Sequence, residues 1–412
     1  MDSIIQFPIS NTMPFKFKIF IDIFIILCLI FNAQAGEWSG YIAGELRYFP
    51  ESPLSADQYD DFNSSFSAQP EYRHEWDDGY QTFTFVPFVR VDQRDSERSH
   101  FDIRELTWLK AASDWELRVG IRKLFWGVTE SQHLVDIINQ TDLVEHSDME
   151  EKLGQPMVNF ALIRDWGTVD LFLLPGFRER TFPGKEGRLL NGGIPIDTDQ
   201  TRYESSAEEK HVDWAVRWEH MLGDWEIGLS HFSGTSRTPR FLPGKNGTGQ
   251  LVLIPYYEQI AQTGLDLQIT QEDILWKLEM ISRDEPIGRF TALTGGFEYT
   301  FVGIFETDAD VGVLTEYSYD DRHDHAMTPF ENDIMLGMRL TLNDVQSTEL
   351  LAGAILDMDS QASFYLIEAS RRLGESWKLT LETYIYANMS TNDLAYGLRN
   401  DDFIQLELAW YF

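Results

Sequence analysis

Apolar and polar residues alternate along almost the whole chain. At 401–412 the order is Asp-Asp-Phe-Ile-Gln-Leu-Glu-Leu-Ala-Trp-Tyr-Phe. Ile404, Leu406, Leu408, Trp410 and Phe412 share one face, and Gln405, Glu407 and Ala409 share the other, because side chains in a strand change sides with period two. The rhythm recurs upstream. Trp38, Ile42, Leu46 and Tyr48 oppose Tyr41, Glu45 and Arg47. Phe83, Phe85, Val89 and Val91 oppose Thr82, Thr84 and Arg90. Trp115, Leu117, Val119 and Ile121 oppose Glu116, Arg118 and Arg122. Trp214, Val216 and Trp218 oppose Asp213, Arg217 and Glu219. Trp276, Leu278 and Met280 oppose Lys277, Glu279 and Arg283. Ile334, Leu336, Met338 and Leu340 oppose Asp333, Gly337, Arg339 and Thr341. Trp377, Leu379, Leu381 and Ile385 oppose Lys378, Thr380, Glu382 and Tyr384. Runs of about 10–12 residues are the length a tilted strand needs to cross a bilayer, whereas sandwich strands are shorter.

The connections are of two kinds. Tight polar turns stand at 77–79, 113–114, 165–167, 223–224, 271–273, 343–344 and 374–375, with long polar loops between them. Trp76, Trp115, Trp166, Trp225, Trp276 and Trp377 each sit beside a tight turn, as an interfacial aromatic girdle would. Both termini fall on the turn side. The count reaches about eighteen strands if 65–76 pairs despite Pro70, and sixteen if the first hairpin does not pair fully. A half-apolar strand at a chain end leaves ladder groups unpaired unless it closes on another strand. The predicted fold is therefore all-β: a transmembrane antiparallel up-and-down barrel with short periplasmic turns and long extracellular loops.

The closing strand with its terminal Phe412 resembles that of bacterial outer-membrane β-barrels, and the whole pattern is similar to the porin-type channels. The resemblance implies residence in the outer membrane as an integral multi-pass barrel and recognition of the C-terminal strand by the barrel-assembly machinery. It also implies outer-membrane lipids and lipopolysaccharide as neighbours. Membrane closure and girdle fall to Phe412, Trp410, Trp76, Trp115, Trp225, Trp276 and Trp377. A local likeness runs through Arg118-Val119-Gly120-Ile121-Arg122-Lys123, Phe125-Trp126-Gly127, Asp136, Asn139 and Asp142. It is similar to an uncharacterised family of proteobacterial porin-like proteins, although Lys123 and Val128 stand where that family has Gln and Glu.

Composition narrows the picture. The chain has 33 Lys+Arg against 67 Asp+Glu, a formal net charge of -34, which disfavours nucleic acid, since a phosphate backbone needs a basic face. Aromatic residues make up 14%, too many for a disordered acidic protein. Lys16 and Lys18, the apolar run 19–31 and Ala33-Gln34-Ala35 read as a cleaved signal peptide at 1–35, leaving 36–412 as the barrel. The single cysteine, Cys28, falls in the removed part, so no thiolate chemistry is expected. Beyond it no apolar run reaches about 18 residues, so any membrane crossing is made by strands.

Three stretches carry candidate chemistry. The first, 124–156, is the third external loop by this count and is expected to fold inward as a constriction. It has apolar, helix-compatible patches (Leu134, Val135, Ile137, Ile138; Met149, Leu153) for docking on the wall. Its carboxylates, Glu130, Asp136, Asp142 and Glu145 among them, would face wall cations Arg47, Arg90, Arg118, Arg122, Arg217, Arg283 and Arg339. Such a pairing sets a transverse field across a narrow aqueous gap. The bland alternative is a solvated loop, with the arginines paired to wall carboxylates. The second is a pair of similar loops at 180–187 and 240–247, sharing Pro-Gly-Lys-x-Gly. They read either as a basic vestibule or as ordinary turns. The third, Asp320-Asp321-Arg322-His323-Asp324-His325, is metal-like in composition but reads as a solvated loop. His220 and His231 sit at the lipid-facing parity, and no hydrolase motif appears. No enzyme activity, cofactor or metal is therefore expected. The expected function is a channel for passive diffusion of small hydrophilic solutes, leaning toward cations. A loop-binding or anchoring barrel and a substrate-specific channel are the alternatives. A homo-oligomer suits the aromatic exterior as well as a monomer does.

Overall fold

The computed structural model describes residues 36–412, so the expected signal peptide lies outside the described residues. The strands are β1 (Glu37–Tyr48), β2 (Phe62–Trp76), β3 (Gln81–Asp92), β4 (Phe101–Ala111), β5 (Trp115–Arg122), β6 (Gln155–Arg164) and β7 (Gly167–Pro175). There follow β8 (Arg202–Tyr203), β9 (Val212–Leu222), β10 (Trp225–Thr235), β11 (Arg240–Lys245), β12 (Leu251–Tyr257), β13 (Gln259–Gln271) and β14 (Ile274–Glu285). The last are β15 (Gly288–Phe301), β16 (Asp310–Asp320), β17 (Asn332–Thr341), β18 (Glu349–Asp357), β19 (Ser363–Leu373), β20 (Trp377–Ala387) and β21 (Phe403–Tyr411). Eighteen of them form one antiparallel sheet, while β8, β11 and β12 form a separate small sheet within the external loops. The large sheet closes because β1 pairs with β21, from Tyr41↔Tyr411 to Tyr48↔Ile404. Closure removes both edges, the requirement for a sheet in lipid.

The alternation read from the sequence sets the two faces. Leu171, Trp214, Leu229, Leu336 and Leu406 are exposed on the outside, whereas Glu45, Asn159, Asp213, Glu279 and Glu316 are buried on the inside. β2 begins at Phe62, three residues earlier than expected, and carries Pro70 without a break. The girdle residues Trp225, Trp276, Trp377, Trp410 and Phe412 are exposed at the turn-side ends of their strands. Trp76 stacks on His74, with ring centroids 5.5 Å apart, and Trp115 stacks on Phe160 at 6.0 Å.

Three expectations need correction. The turn–loop asymmetry fails twice: β14 and β15 join through only 286–287 on the loop side, while β15 and β16 join through 302–309 on the turn side. The loop after β5 has no helix among the described residues, despite its helix-compatible patches. The interior is also not uniformly wet. Leu314, Met335, Leu351 and Ile355 form one buried apolar patch with Phe330, Phe364 and Leu366 packed against it. A second cluster seats the loop after β5.

Candidate pore and its inner loop

The segment 123–154 leaves the top of β5 and folds into the barrel. Its neck is closed by one residue: the Asn139 amide donates to the carbonyls of Arg122 and Leu153, both at 2.8 Å, and its Oδ1 accepts from Leu124 N at 2.9 Å. The apolar stripe Trp126, Val135, Ile137 and Ile138 is buried against Phe172, Ala215, Phe232, Ile260, Ile281 and Phe290 on the inner wall. Each such side chain, fully buried, contributes about 1.5–3 kcal/mol.

Polar anchors then fix the loop around much of the circumference. Glu279 on β14 accepts from Val128 N (2.7 Å), Thr129 N (3.1 Å), Thr129 Oγ1 (2.8 Å) and Val135 N (3.1 Å). Glu316 on β16 accepts from Glu130 N, Ser131 N and Ser131 Oγ at 2.8 Å each. Glu130 itself meets Arg339 on β17 at 2.8 Å and Lys277 on β14 at 3.7 Å. Arg237 donates twice to Ile138 O, at 3.1 and 3.0 Å. The far half of the loop reaches the opposite arc. His146 Nε2 lies 3.1 Å from Glu382 on β20, and Glu145 meets Arg90 on β3 at 2.8 Å. Arg47 donates to Glu145 O at 2.8 Å and also bonds Gln405.

The expected site residues thus separate into groups. Arg47, Arg90 and Arg339 bond the loop directly. Arg217 touches it through the ring of Trp126, 5.2 Å from the centroid, while its charge pairs with Asp266 at 2.7 Å. Arg283 donates to Gln262, whose amide in turn donates to Leu134 O. Arg118 pairs with Glu116 at 2.5 Å on its own strand. Arg122 donates to Asn159 at 3.3 Å. The carboxylates are in direct contact with partners. Asp136 meets Lys152 at 3.1 Å and Asp142 meets Arg104 at 2.7 Å. The picture of an acidic loop facing a basic wall across an aqueous gap is corrected accordingly: these pairs touch, and the wall supplies acids as well as bases. Sequence reading missed Glu279 and Glu316 as acceptors for the loop, and His100 and Arg104 beside Asp142. Glu279 stood at a lumen-facing position, but nothing local marked it as an acceptor for residues about 150 positions away.

Titration follows the same contacts. Burial opposes the charged form of His133, yet Glu150 and Glu279 outweigh it and push its pKa up to about 9. His146 behaves alike, with Asp148 and Glu382 raising it to about 10 against burial. Burial also raises Asp136, only partly offset by Lys152. Asp142 is also buried, but His100 and Arg104 hold it well below the usual carboxylate range.

Above the loop, 176–211 crosses toward β1, β3 and β21. Gly184 N donates to both oxygens of Asp95 at 3.1 Å, and a Cβ at Gly184 or Gly187 would collide with that carboxylate. This accounts for the glycines of the first Pro-Gly-Lys motif. The second motif lies in β11 and the tip that joins it to β12. Arg180 and Arg240 turn to Gln140 (3.3 Å) and Glu258 (3.0 Å), so the two loops do not present them as a shared basic rim. Buried Arg188 locks the crossing: it donates to Asp401 (2.6 Å), Asp60 O (2.6 Å) and Glu51 O (3.1 Å) and lies 4.5 Å over the Phe49 ring. At 320–325, Arg322 pairs with Asp320 at 2.7 Å. No cluster of His, Cys, Asp or Glu suited to a metal ion occurs among the described residues. His231 bonds Thr263 at 2.9 Å at its lipid-facing position.

A closed barrel of eighteen strands, apolar outside and polar within, is an integral outer-membrane β-barrel of the porin type. No protein-family model and no curated protein sequence matches the chain. Among solved structures it is similar to OccK11 (OpdR) of Pseudomonas aeruginosa, at 10% identity over 92% of this chain and 96% of that one, with a TM-score of 0.53. OmpT of Vibrio cholerae in its trimer form is 10% identical over 92% and 99%, with a TM-score of 0.44. A triple mutant of the Rhodopseudomonas blastica porin is 12% identical over 92% and 100%, with a TM-score of 0.43. The likeness is one of fold.

Proposed function

We propose that the chain is a porin-like outer-membrane channel for passive diffusion of small hydrophilic solutes, with 123–154 as its constriction. The observation that carries this is the inward loop, anchored to both arcs of a wall too wide for side chains alone to fill. The most exposed carboxylates of the inner loop are Glu150 and Glu151, whose side chains are 64% and 50% exposed beside His133 and Lys123. This supports a weak cation preference. The tryptophans beside the turns mark the periplasmic interface. The test is planar-bilayer conductance of the refolded barrel, with sugars, amino acids and inorganic anions as blockers and reversal potential in a salt gradient. A folded barrel that passes no current is a plugged, loop-binding barrel instead. Anion preference would refute the acidic reading.

A further inference from the structure

The inner faces of β19 and β20 carry their charges in layers. Toward the turn side, the directly opposed pairs at the inward parity are Leu366↔Tyr384, Glu368↔Glu382, Ser370↔Thr380 and Arg372↔Lys378. The alternate positions, Tyr365, Ile367, Trp377 and Ile385, are exposed outside. Acid thus faces acid on one rung, and base faces base two rungs below. Like charges directly opposite destabilise a sheet. Exchanging Glu368 with Arg372 would give two opposite-charge rungs from the same composition, so barrel stability does not account for the layering. The acidic rung is level with the inner loop, because His146 Nε2 lies 3.1 Å from Glu382. Glu368 accepts from the Tyr384 hydroxyl at 2.8 Å. Glu407 on β21 is opposite Thr380, and Glu349 on β18 is opposite Ser370. Among the described residues Glu368, Glu407 and Glu349 have no ion pair, and neither do Arg372 and Lys378. Asp344 in the β17–β18 turn pairs with Arg371 at 3.5 Å, and Arg372 bonds Gln346 O only through its backbone N.

We propose that this stretch of wall binds short zwitterionic peptides, with the ammonium end at Glu368 and Glu407 and the carboxylate end at Arg372 and Lys378. The unpaired acids stand two to four residues above the bases, which is about 7–13 Å along the strands at roughly 3.3 Å per residue. An extended peptide of two or three residues holds its terminal charges about 7–10 Å apart. The guanidinium of Arg372 offers a fork of N–H donors to the carboxylate, and Lys378 adds a point charge beside it. A single amino acid is too short to reach both levels. As a step in permeation the inference rests on the channel reading above, whereas binding itself does not require current.

The test is saturation-transfer difference NMR of the refolded barrel in detergent, titrated with Ala-Ala-Ala, its C-terminal amide, its N-acetyl form and alanine. Ala-Ala-Ala binds, and the two blocked peptides and alanine bind about tenfold more weakly, as loss of two half-exposed ion contacts does. Arg372→Gln with Lys378→Gln weakens Ala-Ala-Ala about tenfold and leaves the amide unchanged. Glu368→Arg with Arg372→Glu keeps the net charge, breaks the layers and weakens Ala-Ala-Ala equally. Heat-modifiable migration checks that each variant has folded, and the wild-type peptide series decides the matter if one has not. Absence of binding, equal affinity for free and blocked peptides, or wild-type affinity in either folded variant would overturn the proposal, with or without current in bilayers. The expected affinities in a barrel that passes no current would sustain the site and remove only the channel reading.

Discussion

Removing both wall carboxylates that hold the loop tip, Glu279→Ala with Glu316→Ala, should loosen 128–132, leaving the Glu130–Arg339 pair as its main remaining tether, with the barrel intact. Together they accept from the backbone N–H groups of Val128, Thr129, Glu130, Ser131 and Val135 and from two hydroxyls. A hydrogen bond to a charged acceptor contributes about 1.5–3 kcal/mol in a dry site. Lumen water recovers part of that, leaving about 1 kcal/mol for each backbone bond and roughly 5 kcal/mol for the pair. The apolar seat of Trp126, Val135, Ile137 and Ile138 contributes about 6–12 kcal/mol, so 134–138 stays docked. The release is local. Single-channel recording should show higher conductance and added open-channel noise, with heat-modifiable migration unchanged. Wild-type conductance and noise in a folded double variant would refute the view that these two residues hold the tip.

The remaining expectations concern pH, the external crossing and closure. His133 is raised from 6.5 to about 9 by its partners. Its contribution to docking is therefore complete below about 6.5 and is lost as pH rises through about 9, so channel noise should grow between pH 7 and 10, and His133→Gln should remove that dependence. Arg188→Ala leaves buried Asp401 without its cation, at a cost of about 3–5 kcal/mol, and external protease should then cut near 180–190 on intact cells. Deleting 403–412 removes the strand that pairs with both β1 and β20, so no heat-modifiable barrel should form.

The barrel was legible because strand facing is a local property. Each residue's side of the wall follows from its neighbours at i±2, and Trp38, Trp214 and Trp410 need no distant information to point outward. The strand count survived two misjudged connections because it depends on the number of reversals, not on their length. The two-residue link 286–287 still reverses the chain, as does the longer 302–309. Pro70 was ambiguous in sequence, but β2 carries it and still pairs with β3 on either side, at Ala68↔Val89 and Tyr72↔Phe85.

The inner loop was legible only in outline, for a physical reason that also bears on selectivity. Its apolar patch announced docking, but its partners lie on strands far along the chain, and an inward Glu looks the same whether it faces water or accepts a backbone N–H. Glu279, fully buried under the loop, and Glu150, whose side chain is 64% exposed, count equally in the net charge of -34. They do not count equally for a passing ion. Glu279 and Glu316 are spent on loop amides, Asp142 on Arg104, and Glu145 on Arg90, so their fields are largely cancelled at close range. The carboxylates that a hydrated solute meets are the few left exposed. The proposed cation preference therefore rests on the carboxylates that the loop leaves exposed and not on the acidity of the chain as a whole.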